Sequence, residues 1–287
     1  MIIGKEREKV IENIRRAAGE GDFHRKVEVG DPVLTEGQKE VLIKKYLQKK
    51  RTLRFWAKNR LARKLICAAT KKVNRETVII GFENIDKIKG GAIITSNHFS
   101  PLDNTAVRTL AWRMGKEKLC IVSQETNLAM PGVTGFLMNY ADILPISNNP
   151  AYMSRRFEPL LKKELDKESV VLIYPEQEMW FNYKKPRPLK RGAYYYAAKF
   201  GVPVISCFVE MKVLKEMDTR EFYKVNYVVH VLPAIYPDGK KSVRENSFGM
   251  CVQDYEQKKS AYEAAYGKAL DYDFEEVDIA GWVPGGF

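Results

Sequence analysis

A histidine and an aspartate stand five positions apart in Thr95-Ser96-Asn97-His98-Phe99-Ser100-Pro101-Leu102-Asp103, and these side chains at this spacing can act as a base and its orienter. A neutral imidazole takes a proton from a hydroxyl, while a carboxylate on its other ring nitrogen fixes the tautomer and stabilises the imidazolium that forms. No Ser in a G-x-S-x-G elbow and no obvious Cys nucleophile accompanies the pair, so the attacking group would be a hydroxyl of the substrate itself. The same residues would also suit a packed loop in which Ser100 or Asp103 caps a helix beginning near Asn104.

The elements around the pair narrow the choice. Ala92-Ile93-Ile94 ahead of it reads as a buried strand, and Val170-Val171-Leu172-Ile173 is a second such run, ending in Tyr174-Pro175-Glu176-Gln177. Leu189-Lys190-Arg191-Gly192-Ala193 and Gly201-Val202-Pro203-Val204-Ile205 follow. In this order and at about these intervals, residues 81–209 resemble the glycerolipid acyltransferases, which carry N-H-x-x-x-x-D, then a Pro-Glu block, then a V-P-V strand. The resemblance implies that His98 is the general base, Asp103 its orienter and Glu176 a residue of the acceptor site. It implies transfer of a fatty acyl group from acyl-CoA or acyl carrier protein to the hydroxyl of a lysoglycerolipid, foremost 1-acylglycerol-3-phosphate, in phospholipid biosynthesis. An acceptor without phosphate, another lysophospholipid, or a catalytically silent membrane-surface protein of the same fold remain alternatives. A thioester is already activated, so no metal or organic cofactor is implied.

The chain departs from the family pattern at three places. Ser147 stands where the family has Arg, Gln177-Glu178-Met179-Trp180 replaces Gly-Thr-Arg-Ser, and Gln124 aligns with a lysine of many relatives. Fewer cations should hold a phosphomonoester less firmly. Arg187, Lys190 and Arg191 could supply headgroup contacts instead, or be ordinary surface charge. The oxyanion of the tetrahedral intermediate requires preorganised donors; the Gln124 amide and the backbone N–H at Gln177 are the candidates. Trp180, Phe181 and Tyr183 could line an acyl channel or fill a core.

A net charge of +12, from 48 Lys and Arg against 36 Asp and Glu, points to a polyanionic partner. The excess concentrates in a predicted helical region over residues 38–73, with Leu42, Tyr46, Leu53, Ala57, Leu61 and Leu65 forming an apolar stripe and Phe55 and Trp56 on or beside it. An interfacial helix has this pattern, and Phe55, Trp56, Lys58, Arg60 and Arg63 are its candidate contacts to anionic lipid. A solvated helix packing the stripe on the catalytic unit is the other reading. No nucleic-acid motif accompanies the charge, so no nucleic acid is expected.

No segment reaches the roughly 18–20 apolar residues that cross a bilayer, and the N-terminus lacks signal-peptide order. Cys67, Cys120, Cys207 and Cys251 show no metal or disulfide spacing. A cytoplasmic protein, peripheral on the inner face of the cell membrane, is expected.

From Thr77 onward short strands alternate with helices, which predicts a mixed α/β sheet flanked by helices behind an N-terminal basic amphipathic helical extension. Strands are predicted at residues 78–82, 91–95, 119–123, 143–146, 170–174, 202–210 and 227–232. Helices are predicted at 104–114, 153–165 and 192–199, with a helix or loop at 131–140. A first short helix covers 6–18, and the tail from 242 to 270 should be a helix laid against the domain. The last residues, from Trp282, read as a loose end. The chain thus divides into a membrane-surface region (1–75), a catalytic domain (76–240) and a packed C-terminal helix and tail (241–287).

Overall fold

The computed structural model describes residues 6–285. Its strands are β1 (Val78–Ile80), β2 (Ala92–Thr95), β3 (Leu119–Gln124), β4 (Ile143–Ile146), β5 (Val170–Ile173), β6 (Val204–Met217) and β7 (Tyr223–Val231). They form one seven-stranded sheet in the order β1-β7-β6-β2-β5-β3-β4. β2 through β6 run parallel where they pair, while β7 turns back antiparallel on β6 and carries β1 beside it. β2 sits at the centre with all four residues buried, because a parallel strand covered on both faces needs apolar side chains on both. Its last residue, Thr95, is level with Ile173 of β5 and Ser206 of β6.

Helices cover both faces. α1 (Arg7–Gly19), α2 (Glu36–Lys49) and α3 (Leu53–Val73) precede the sheet, and α4 (Asn104–Arg113) and α5 (Gly132–Tyr140) follow β2 and β3. α6 (Pro150–Tyr152), a π-helical turn at Met153–Phe157 and α7 (Glu158–Asp166) lead into β5; α8 (Gly192–Phe200) and α9 (Val243–Tyr266) complete the set. α4 packs Ala106, Val107, Leu110 and Ala111 on Ile94, Ile121 and Leu172. On the opposite face Leu161, Tyr194, Ala197 and Met250 meet Ile93, Val171 and Val204.

α9 begins in a capping box between Ser242 and Glu245 and brings a charged pair into the core. Asp254 and Lys258 are both fully buried and paired to each other. Asp254 accepts hydrogen bonds from Thr95, Ser206 and Tyr194, and Lys258 donates to Thr95 Oγ1 at 3.0 Å and Ser206 Oγ at 3.2 Å. The helix is thereby fixed across the end of β2 and the start of β6, with Thr95 three residues ahead of His98. Polar groups shut from water are tolerated when every partner is supplied.

Several elements differ from the sequence reading. Residues 38–73 form two helices, because Thr52 leaves the helical backbone and caps α3, its side chain accepting from Phe55 N at 3.2 Å. The stripe is therefore not continuous. α3 buries Phe55, Ala62, Ile66 and Thr70, while Leu53 is 89 % exposed and Trp56 58 %, with Leu61 and Leu65 also exposed. The β6–β7 hairpin runs well past residues 210 and 227: beyond Met211 the exposed Lys212, Lys215 and Glu216 interrupt the apolar run of β6, and residues 223–227 of β7 are half-buried. α1 buries Val10, Ile11, Ile14 and Ala17 in one cluster with Trp180, Phe181, Tyr183, Phe222 and Ile279, so those three aromatics fill a core and line no channel. Trp282 is no loose end: it packs on that cluster and pairs with Phe222. Residues 286 and 287 of the expected end lie outside the described residues. Among the described residues no helix is long and apolar enough to cross a membrane.

Candidate active site

The loop after Thr95 leaves the sheet at the carboxyl end of β2, where open α/β sheets place ligands. Asn97 imitates a strand residue there: its Oδ1 accepts from Val209 N at 2.8 Å and its Nδ2 donates to Val209 O at 3.1 Å. His98 is thus presented from a tethered base. Its Nδ1 lies 2.7 Å from Asp103 Oδ2, an oxygen that also accepts from the backbone N–H of Phe99 at 2.9 Å and Ser100 at 3.1 Å. Asp103 makes no capping bond to α4, while Ser100 Oγ accepts from Leu102 N at 3.3 Å in the turn ahead of that helix. With Nδ1–H assigned to the carboxylate, Nε2 is left as the basic nitrogen, and it has no protein partner among the described residues.

Tyr174 completes the arrangement. Its ring stacks on the imidazole with centroids 3.8 Å apart and planes 12° from parallel, and its hydroxyl donates to Asp103 Oδ1 at 2.5 Å. Burial first, then the Asp103 charge, holds the phenol pKa well above its ordinary value, so Tyr174 stays a donor. The sequence reading ended a strand at Tyr174 and gave it no role. The period-two alternation that puts it on the face of Val170 and Leu172 was the available signal.

Glu176 and Arg187 are 2 % and 1 % exposed. Glu176 Oε2 accepts from His98 N at 3.2 Å and Arg187 Nη2 at 2.9 Å, and Oε1 from Arg187 N at 3.0 Å. The guanidinium also donates to Phe23 O at 2.9 Å and to Glu178 O, and lies over the Trp180 ring. Both side chains are buried and engaged in framing the His98 backbone. Residues 22–25 cover this frame: Trp180 Nε1 donates to Arg25 O at 3.0 Å, and His24 Nδ1 lies 3.4 Å from Glu176 O.

The other expected contacts are dispersed. Gln177 is exposed with φ at 68°, and its N–H bonds Tyr174 O at 3.1 Å, so the backbone donor expected for the oxyanion is already committed. Gln124, at the end of β3, turns its amide to Glu178 Oε1 at 3.2 Å. Lys190 and Arg191 border a groove of about 1080 Å³ against α9, with Arg244, Phe248, Val252 and Tyr255; the lining of that groove does not include His98. Of the lipid-contact set, Phe55 is turned inward against Tyr46 and Tyr140, and Arg63 is held by Asp142 at 2.7 and 3.0 Å. Lys58 lies over the Tyr140 ring, while Trp56 and Arg60 remain exposed and stacked on each other. His230 meets Glu210 at 2.8 Å across β6 and β7.

Other chemistries find little support. Burial pushes the thiols of Cys120 and Cys207 up to about 12, which disfavours the nucleophilic thiolate. No group of three or more His, Cys, Asp or Glu among the described residues could hold a metal ion. What remains is an imidazole with one fixed and one free nitrogen.

An acyltransferase family model matches residues 76–210, the span from β1 into β6 that contains His98, Asp103, Tyr174, Glu176 and Arg187. No curated protein matches the chain. Among solved structures, the chain is similar in fold to the 1-acyl-sn-glycerophosphate (LPA) acyltransferase PlsC from Thermotoga maritima, with 17% identity, coverage of 81% of this chain and 90% of that one, and a TM-score of 0.50.

Proposed function

We propose that this chain, whose residues 76–210 match an acyltransferase family model, moves a fatty acyl group from a thioester to the hydroxyl of a lysoglycerolipid, with 1-acylglycerol-3-phosphate as the foremost acceptor. The observation that carries this reading is the 2.7 Å contact between His98 Nδ1 and Asp103 Oδ2, with Nε2 unpartnered. The acceptor hydroxyl gives its proton to Nε2 as its oxygen attacks the thioester carbonyl. The tetrahedral intermediate then collapses, the C–S bond breaks, and the imidazolium returns the proton to the leaving thiolate. An ester and a free thiol result. Asp103 stabilises the imidazolium between the two steps.

The donor is acyl-CoA or acyl carrier protein, and the thioester supplies the driving energy without a metal or organic cofactor. We place the enzyme at the cytoplasmic membrane surface. Leu53, Trp56, Leu61 and Leu65 stay exposed on α3 with Arg60 and Lys64 also exposed, a combination that suits an anionic interface.

Purified protein given a long-chain acyl thioester and 1-acylglycerol-3-phosphate should release thiol and form diacyl product. His98→Ala should lose about 10²–10⁴-fold of the rate while melting as a folded protein. Equal rates in the two proteins, or no acylated product from a panel of lysolipids, would refute the reading.

A further inference from the structure

Asp254 and Lys258 on α9 stand in a closed polar network. Asp254 Oδ2 accepts from Thr95 Oγ1 at 2.7 Å and from the Tyr194 hydroxyl, while Oδ1 accepts from Ser206 Oγ and from Lys258 Nζ. The ammonium spends its other two hydrogens on Thr95 Oγ1 at 3.0 Å and Ser206 Oγ at 3.2 Å. Thr95, Tyr194, Ser206, Asp254 and Lys258 are all 0 % exposed. A buried ion pair adds little net stability over apolar side chains of similar volume, so the gain from this one lies in the geometry it imposes.

The network sits where backbone pairing gives out. The ladder between β2 and β5 ends at Thr95 with Ile173, and the ladder between β2 and β6 ends at Thr95 with Ser206. Beyond this level side chains hold the chain on its way to His98: Asp254 and Lys258 grip Thr95, and Asn97 grips the backbone of Val209 on β6. Asp254 Oδ2 also reaches the second loop of the site. Tyr194 lies in the first turn of α8, the helix that follows the connection from β5 carrying Tyr174, Glu176 and Arg187. One carboxylate oxygen thus joins the strand end that precedes the base to the helix that follows its frame, and it comes from a helix outside the matched residues 76–210.

We propose that Asp254 and Lys258 are positioning residues for acyl transfer, acting through Thr95 and Tyr194 to set the His98 loop against the Glu176 loop. The assignment rests on the acyl-transfer reading. The hydrogen bonds of the pair end at Thr95, Ser206 and Tyr194, so they govern where His98 Nε2 points and leave its basicity to Asp103. Misplacing a reacting group by about 1 Å costs on the order of 10²-fold in rate. A small drift of the Thr95 end is therefore felt in kcat before it is felt in melting.

The experiment compares Thr95→Val, which keeps the side-chain shape and removes the hydroxyl, with Thr95→Ser, which keeps the hydroxyl. Both are assayed with wild type, well below their melting temperatures, on a long-chain acyl thioester and 1-acylglycerol-3-phosphate. Thr95→Val should lose about tenfold or more in kcat with KM for both substrates unchanged, and Thr95→Ser should recover most of that loss. A network that serves folding alone lets both folded variants turn over like wild type, and that result overturns the proposal. Equal kcat losses in the two variants, or a Thr95→Val defect confined to KM, overturn it as well. Ser206→Ala, with the same loss of kcat expected, takes the place of Thr95→Val where that variant does not fold. Amide hydrogen exchange at residues 96–99 gives a reading independent of turnover. It should quicken in Thr95→Val while the rest of β2 and β6 keeps its protection, and unchanged protection there counts against the tie. Absence of acylation by wild type would instead sink the function reading and leave the exchange at 96–99 to judge the positioning.

Discussion

Tyr174 lies flat on the His98 ring at 3.8 Å and at the same time donates its hydroxyl to the carboxylate that orients that ring. One side chain thus limits the imidazole from its face and from its partner. Asp103 receives four donors, from His98, Phe99, Ser100 and Tyr174, which leaves little freedom in the base. Tyr174→Phe keeps the stacking and removes the phenol, so Asp103 Oδ1 loses a donor in a buried setting. A stability loss of about 1–3 kcal/mol is expected, with a fall in kcat larger than any change in KM. Tyr174→Leu should lower kcat further. Thermal melting with steady-state kinetics checks both, and a Phe variant with wild-type kcat and melting would contradict the role.

Glu176 and Arg187 give a test that separates framing from substrate binding. Removing one partner of a buried ion pair strands the other charge, at about 3–5 kcal/mol. Arg187→Met should therefore unfold at markedly lower temperature and lose activity with it, because Glu176 also holds the His98 N–H. Replacing both residues by apolar groups of similar volume should recover part of the stability. A folded Arg187→Met whose only defect is a raised KM would make Arg187 a substrate ligand after all.

Much of the fold was legible because central strands and the His98 loop carry local signals. β4 falls at the residues expected, since a short apolar run follows Asp142, which turns the chain at φ 61°. His98 and Asp103 could be paired from sequence because their relation spans one turn of chain. The relations that escaped are long-range. Tyr174 meets Asp103 across 71 positions and Thr95 meets Asp254 across 159, and periodicity assigns such a residue to a face without naming its partner there. Arg187 read as a free cation because its partner Glu176 read as a free carboxylate. In α3 the spacing leaves both Phe55 and Trp56 on or beside the stripe, and only the packing against Tyr46 and Tyr140 turns Phe55 inward and leaves Trp56 exposed.

Gln177 occupies a left-handed backbone position at φ 68°, where a side chain costs about 1–2 kcal/mol relative to the ordinary helical region. Its own side chain makes no hydrogen bond among the described residues, so little is lost with it. Glycine restores freedom to the unfolded chain, which offsets about 0.5–1 kcal/mol of the gain. Gln177→Gly should accordingly melt at or slightly above the wild-type temperature, with the Tyr174 turn intact and activity retained. Gln177→Val should melt lower than either. A glycine variant less stable than wild type would mean that the glutamine side chain contributes something the geometry does not show.

The acid limb of stability should carry the signature of His24. Burial is the main cause that lowers its pKa below the ordinary 6.5; the Glu176 carbonyl opposes this, and Lys190 and Arg187 add to the lowering. A folded value below the unfolded one means that the unfolded chain binds protons more readily, so stability rises with pH in that region. The His24 contribution is fully present above the unfolded value and is lost as pH falls through the folded one. The melting temperature of wild type should therefore decline from pH 7.5 toward pH 5, and His24→Gln, which keeps a donor for the Glu176 carbonyl but does not titrate, should decline less. Because His24 rests on the turn that frames His98, the same window should show activity falling faster in wild type than in the variant once both are assayed below their melting temperatures. Parallel melting curves for the two proteins across this range would remove His24 as the titrating group.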